Sequence, residues 1–339
     1  MPTQAIEGYP LSLQQNRCWT IVDEFGRGQL HTEAECVLEG KLDREKLEVA
    51  LRGFLQRHEI CRCEIIEGPS GPVAVVAEDS HAGASDQRRF RWDLKTEESG
   101  AQVLHLEFPA ELADATSIGL LLRELSGEYG RLSGSAPEAD EPMQYLDYAQ
   151  WQLDLQTTPE ARIAQQFWRD ATEGESTIPL EKAGDGFAIG SENAHLDSAA
   201  EERLRGCAEA SGTSRSIVVA AAWAAFLGRL IERPGEVAVG ILSSGRTFDE
   251  LNEALGPYDR YLPVKLAADS DKPAAELIRT VAGAIAETQQ HQEFFGGAET
   301  EGDSAHSFVF AHCRPIEEIR AGGLAFQVRR MGSHTQPSK

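Results

Sequence analysis

At 339 residues the chain is longer than one average domain, and its 41% hydrophobic content is enough to build real cores. Thirty-two basic against 55 acidic residues leave a net charge of −23, which repels polyanions over most of the surface and argues against nucleic acid as the main ligand. No run of eighteen apolar residues exists and MPTQAIEGYPLS lacks the basic and apolar regions of a signal peptide, so neither membrane insertion nor secretion is expected and cytoplasm is the default compartment.

Six cysteines are scattered without the paired spacing of a zinc site, Cys61 and Cys63 being one residue apart rather than two, and they read as small buried hydrophobes. The arginines of DQRRFRW (Arg88, Arg89, Arg91) and FQVRRM (Arg329, Arg330) read as solvated strand faces before they read as anion-binding patches.

In chain order, AECVLEGKL from Ala34 has strand character. Asp43 then suits the N-cap of a helix that places Leu47, Ala50, Leu51 and Phe54 on one face. Short strands follow at CRCEII and GPVAVVAE around the turn EGPSG, and at RRFRWDL and AQVLHLEF around KTEESG. After Asp114, Ile118, Leu121, Leu122 and Leu125 recur at helical spacing, and MQYLDYAQWQLDL and ARIAQQFWRDA give two further helices. The polar stretch from Thr172 to Asn193 marks a boundary, dividing the chain into lobes 1–175 and 176–339. Beyond it come a strand near AHLDSA, the helix AEERLRGCAEAS, and SRSIVVAAAWAAFLGRLIE, a helix that Thr213 or Ser214 can cap and whose apolar centre implies burial on most sides. EVAVGIL and RYLPVKLAA are strands. A helix with Pro273 in its first turn and the strands SFVFAHC and LAFQVRR complete two α/β lobes of similar size.

Several stretches, in order, resemble the condensation domains of nonribosomal peptide synthetases, from residue 9 to the last residue. YPLSLQQNRCW is similar to the opening motif through Ser12, Gln15, Arg17 and Trp19, with Gln14 where alanine is usual. RHEICRCEI matches the second motif at Arg57, His58, Glu59 and Arg62, and YLDYAQWQ the fourth at Tyr145, Asp147, Tyr148, Ala149 and Trp151. SSGRTFDEL with ALGPYDRYLPV resembles the fifth, and HQEFF the sixth through His291 and Gln292. The resemblance implies two lobes, each similar to chloramphenicol acetyltransferase, in a V-shaped pseudo-dimer with a central tunnel. Into it would reach the 4'-phosphopantetheine arms of partner peptidyl or aminoacyl carrier domains; no cofactor bound by the chain itself, no metal and no membrane or nucleic-acid partner is implied. GSHTQPSK stops where family members usually continue, so the second lobe is expected to be incomplete.

In working members a His-His-x-x-x-Asp-Gly motif sits at the junction, and its second histidine positions or deprotonates the attacking amine. Aligned through TSIGLLLREL, this chain supplies Pro109, Ala110, Glu111, Leu112, Ala113, Asp114 and Ala115. Ala110 has no group that can take a proton, and Pro109 also excludes the aspartate of the related heterocyclisation domains. Only Asp114 and Ser117 survive, and the resemblance gives Asp114 a structural role, paired with the arginine matching Arg62 as well as at a helix N-terminus. Ala110, Ser117 and Arg260 are candidate tunnel or substrate-binding positions. Arg260 stands where asparagine is usual, as a surface arginine or as a cation reaching into the tunnel. His105 lies too far along its strand to replace the base, Glu111 reads as a solvated loop residue, and His58, His291, Tyr145, Tyr148 and Trp151 read as packing residues. Three functional readings remain open. The chain is a platform that docks a carrier protein or recruits a tailoring enzyme, as relatives with altered motifs do for oxygenases, or meets a neighbouring synthetase module; it is an acyltransferase that condenses thioester-bound substrates by positioning alone; or it is a structural remnant, a linker lobe in a larger synthetase with no partner of its own.

Overall fold

The architecture rests on short polar caps and, in the main sheet, on alternation of buried and open strand positions, seen here in a computed structural model that describes residues 8–25, 30–77, 89–134, 141–172, 192, 194–230, 236–267, 272–296, 308–313 and 315–334. In chain order the elements are β1 (Tyr9–Pro10), α1 (Leu13–Phe25), β2 (His31–Gly40), α2 (Arg44–Arg57), β3 (Cys63–Gly68), β4 (Gly71–Val76), β5 (Arg91–Thr96) and β6 (Gln102–Pro109). Then come α3 (Ala115–Leu132), α4 (Tyr145–Leu155), α5 (Pro159–Thr172), α6 (Ser198–Ala210), α7 (Arg215–Leu230) and β7 (Glu236–Ser243). The last are β8 (Arg260–Ala267), α8 (Ala274–Gln290), β9 (Val309–Phe310), β10 (Ile319–Ala321) and β11 (Leu324–His334).

The chain forms two compact units. The first comprises Met1–Ala161, Ser244–Asp259 and Arg314–Pro337. Its main sheet has the order β10-β11-β2-β6-β5, every neighbouring pair antiparallel. Along β2 the even residues Thr32, Ala34, Cys36 and Leu38 are buried, and they stand opposite Phe108, Leu106, Leu104 and Gln102 of β6. That face is covered by α2, through Leu47, Leu51 and Phe54, and by α3, through Ile118, Leu121, Leu122 and Leu125. The odd residues Glu33 and Glu35 face Glu107 and His105 on the polar side, the period-2 segregation that fixes register. A second sheet, β1-β4-β3, completes the unit.

The second unit comprises Arg162–Ser243, Arg260–Cys313 and Ser338–Lys339. Its sheet runs β8-β7-β9, with β9 parallel to β7. Ala220, Ala224 and Leu227 of α7 and Leu277, Val281 and Ile285 of α8 pack with Val237, Val239, Val264 and Leu266. A smaller cluster joins Trp168 of α5 to Leu262 and Phe295, and the Trp168 indole N–H donates to the His291 carbonyl at 3.1 Å.

These units differ from a division at residue 175. Both β10 and β11 fall C-terminal to that point, yet β11 pairs with β2 along its length, and 244–259 also belongs with the first unit, so neither unit is one continuous stretch. The polar stretch that suggested the boundary lies almost wholly outside the described residues. AHLDSA forms no strand: Asp197 accepts the Ala200 N–H at 2.7 Å and starts α6 there. Asp43 does cap α2, accepting the Lys46 N–H, and Ser214 accepts the Ile217 N–H at the start of α7. Nor is α7 buried on most sides, because Val219, Phe226 and Leu230 are 38%, 54% and 60% exposed.

Candidate functional site

The segment from Pro109 to Ser117 joins β6 to α3, and its backbone is tied down at almost every step. Pro109 ends the strand opposite His31 of β2. Past it, the Ala110 N–H donates to the Leu30 carbonyl at 3.2 Å, and the Leu112 N–H donates to the Pro109 carbonyl at 3.0 Å. Gln15 of α1 donates through Nε2 to the Glu111 carbonyl at 3.2 Å, and Thr32 Oγ1 to the Ala113 carbonyl at 3.1 Å. The Ala110 methyl is 1% exposed and packs with Leu30. A loop this constrained holds its side chains in defined places, and the one at position 110 can neither donate nor accept a proton.

Asp114 is the hub of the site. It is the N-cap of α3, its Oδ1 accepting both the N–H and the hydroxyl of Ser117 at 2.8 Å. Arg246 grips the same carboxylate with two nitrogens, Nη1 to Oδ2 at 2.6 Å and Nη2 to Oδ1 at 3.1 Å, and the backbone N–H groups of Tyr258 and Asp259 donate to Oδ2 at 3.0 and 3.2 Å. Ser117 Oγ also accepts the Gly256 N–H at 3.1 Å and lies 3.0 Å from the Gly256 carbonyl, its single proton shared between that carbonyl and Asp114. Burial alone pulls the Arg246 guanidinium down, but the charge and hydrogen bonds of Asp114, with Asp259 behind them, more than offset it and hold the group above its ordinary value. The guanidinium also lies 4.5 Å over the Tyr258 ring. Asp114 and Ser117 thus latch 244–259 onto α3, a structural task, and Ala115 merely opens the helix.

The partner of Asp114 is Arg246 and not Arg62. Arg62 spends its guanidinium on the carbonyls of Leu55 and Ala77, at 3.1 and 2.8 Å, bracing the turn between α2 and β3. Arg246 was legible only as the arginine of SSGRTFDEL, since nothing local to that loop shows which carboxylate it meets. Beside the latch, Tyr145 places its hydroxyl 2.7 Å from Ser12 Oγ and donates to the Pro257 carbonyl at 3.2 Å, while its ring packs with those of Tyr148 and Tyr258. Tyr145 and Tyr148 are core residues. Trp151, 37% exposed, is not, and stands edge-to-face with Phe248.

The remaining candidates disperse. Arg260 is 3% exposed, neither on the surface nor open to an anion: it donates to the Gln292 carbonyl and holds Glu293 at 2.9 Å within the second unit. His291 rests its ring on Phe167. His58 is buried against Phe54, with Nε2 2.6 Å from Glu124. His105 faces Glu35 on the polar side of the sheet, 3.7 Å away. Glu111 is 8% exposed and so is no solvated loop residue, and its charge joins the larger effect of burial in pushing the Cys18 thiol up to about 12, with Arg17 opposing. Cys18 itself reaches the Ala110 carbonyl at 4.0 Å. Cys36, Cys61 and Cys63 are buried as expected, whereas Cys207 and Cys313 are exposed. The strand arginines are solvated but paired: Arg89 with Glu64, Arg91 with Glu107, Arg329 with Glu35 and Glu97, and Arg330 with Glu33. Arg88 lies outside the described residues. Among those described, no three His, Cys, Asp or Glu side chains are grouped to hold a metal, and no helix is long and apolar enough to cross a membrane.

Comparison with known proteins places this arrangement. The family model described as Condensation domain matches residues 111–296, more than half of the chain. Surfactin synthase subunit 1 of Bacillus subtilis (strain 168) is 26% identical over 330 residues, covering 86% of this chain and 9% of that protein. Tyrocidine synthase 2 of Brevibacillus parabrevis is 26% identical over 326 residues, again covering 86% and 9%, so the chain spans only about a tenth of the length of these relatives. Among solved structures, the first condensation domain of the calcium-dependent antibiotic synthetase superposes with a TM-score of 0.79 at 19% identity, over 96% of this chain and 85% of that one. The X-domain from teicoplanin biosynthesis gives 0.76 at 24% identity, over 98% and 84%. With its fold shared across these structures and its α3 latch inside the matched region, the chain belongs to the condensation domain family of nonribosomal peptide synthetases.

Proposed function

We propose that this condensation domain has lost base-assisted amide formation and serves as a docking platform, receiving a carrier protein or recruiting a tailoring enzyme. The observation that carries the reading is Ala110: where the reaction needs a group to deprotonate or align the attacking amine, there is a methyl packed on Leu30. General acid or base assistance typically contributes about 10² to 10⁴ in rate, so its loss alone slows a condensation without abolishing it. Replacement of both histidines and of the glycine, in a loop otherwise kept in place by Asp114, argues that the scaffold is retained for a purpose other than the reaction. The 4'-phosphopantetheine arm belongs, on this reading, to the partner carrier. A solved complex of the teicoplanin X-domain with OxyB matches the present fold with a TM-score of 0.73 at 23% identity, which is compatible with recruitment as a use of the scaffold.

The competing reading is an acyltransferase that condenses by alignment. It is favoured by one observation: His31 stands opposite Pro109 across the β2–β6 ladder and is the imidazole nearest in register to the altered motif. One assay separates the two. Two carrier proteins are charged with aminoacyl thioesters, the domain is added, and dipeptidyl product is measured against the reaction without it. The platform reading expects no product above background. Product that disappears in His31→Ala overturns it, because a carboxamide formed through His31 is catalysis.

A further inference from the structure

The helix α7 packs one side on the second unit's sheet and turns the other outward. Arg215, Val219, Ala222, Phe226 and Arg229, with Leu230, recur at spacings of four and three, so they share one exposed face of the helix. Its centre is apolar, with Val219, Phe226 and Leu230 well exposed, and Trp223 stacks on Phe226 at 5.6 Å while meeting Phe308 edge-on at 6.2 Å. The Trp223 indole N–H is buried with no acceptor among the described residues. Each end of the face carries an arginine, and among the described residues neither Arg215 nor Arg229 has a carboxylate partner, in a chain where acids outnumber bases 55 to 32. Arg215 lies in the first turn, where the helix dipole adds to its positive potential.

From this face we infer a docking site for an amphipathic helix of a partner protein, apolar along one side and bearing a carboxylate at each end. At 1.5 Å per residue the two arginines are separated by about 21 Å, so the partner's carboxylates lie about fourteen residues apart. Charge excludes a second copy of this chain as the occupant: an antiparallel pair of α7 helices would set Arg215 against Arg229, two like charges at each end of the contact. Phe226 and Trp223 form the centre of the contact, the position where binding energy concentrates.

The inference deepens the platform reading and rests on it for the partner's purpose, but the two can fail separately, since binding at α7 is measured without any condensation assay. The probe is a labelled synthetic 18-residue helical peptide with leucines along one face and glutamates fourteen residues apart, titrated with the whole chain by fluorescence anisotropy. Saturable binding is expected, weakened at least about tenfold by Phe226→Asp, a change at an exposed position whose folding is checked by circular dichroism. A peptide with lysines in place of the glutamates should bind only the double variant Arg215→Glu/Arg229→Glu. Equal affinity for both peptides, or binding unchanged in Phe226→Asp, overturns the proposal. So does a dimer in sedimentation that Phe226→Asp dissolves, because a second copy would then occupy the face.

Discussion

Replacing Asp114 by alanine tests the reading of this carboxylate as a latch. The change leaves the Arg246 guanidinium, 3% exposed, without its counter-charge, and removes the acceptor of the Tyr258 and Asp259 N–H groups as well as the cap of α3. Breaking a buried ion pair by deleting one partner costs about 3–5 kcal/mol, and a lost N-cap is worth roughly 1 kcal/mol. Taking about 4 kcal/mol for the local opening of 244–259, and 1.4 kcal/mol per decade, the amides of Tyr258 and Asp259 should exchange with solvent roughly a thousandfold faster. Hydrogen exchange followed by mass spectrometry reads this directly. In Asp114→Leu/Arg246→Met, where neither charge remains buried, most of the protection should return. An acceleration below tenfold in Asp114→Ala would refute the latch, as would a double variant no better protected than the single one.

Further outcomes follow from the same geometry. Gly256 has φ +151°, and a Cβ there would sit 1.9 Å from Tyr145 Cδ2, whose ring is held by Ser12 and Pro257; Gly256→Ala should lower the melting temperature by at least about 5 °C in a thermal scan. Reinstating the base as Ala110→His should yield no dipeptide in the carrier assay and cost about 1–3 kcal/mol in urea unfolding, because the imidazole must fit where a methyl already packs on Leu30. At pH 7.5 a thiol reagent should label Cys207 and Cys313 and spare Cys18, Cys36 and Cys63, whose thiols burial pushes up to about 12, together with Cys61, raised still further; intact-protein mass should show two adducts. Arg329, chiefly by its hydrogen bond, holds the Glu35 carboxyl below its ordinary 4.5, so this pairing stabilises the fold fully above that pH and is lost as pH falls through the depressed value. Glu35→Gln should therefore flatten the acid limb of stability slightly while leaving neutral pH within about 0.5 kcal/mol.

Local chemistry carried most of what the sequence revealed. Asp43 and Asp114 announce their helices because a short acceptor side chain precedes an apolar repeat, and β2 and β6 announce themselves by alternation. The loss of the base was equally plain, being a matter of which side chain stands at position 110. What depends on long-range pairing was not legible. No local signal ties Arg246 to Asp114 across 132 positions, or sets His31 beside Pro109, and the resemblance pointed to Arg62, which the turn after α2 consumes. The exposed face of α7 was hidden for another reason: alanines and large apolar residues alternate around the helix, so its hydropathy is nearly uniform while its burial is not.

The pairing of β11 with β2 has a temporal consequence. As the polypeptide leaves the ribosome, β2 and β6 emerge early, but the strand that occupies β2's other side follows roughly two hundred residues after β6. At about 5–20 residues per second, β2 spends some ten to forty seconds with an open hydrogen-bonding edge on a nascent chain. Its outward Glu33, Glu35 and Glu39 supply the like-charge repulsion that keeps such an edge from pairing with a neighbouring nascent copy during that interval.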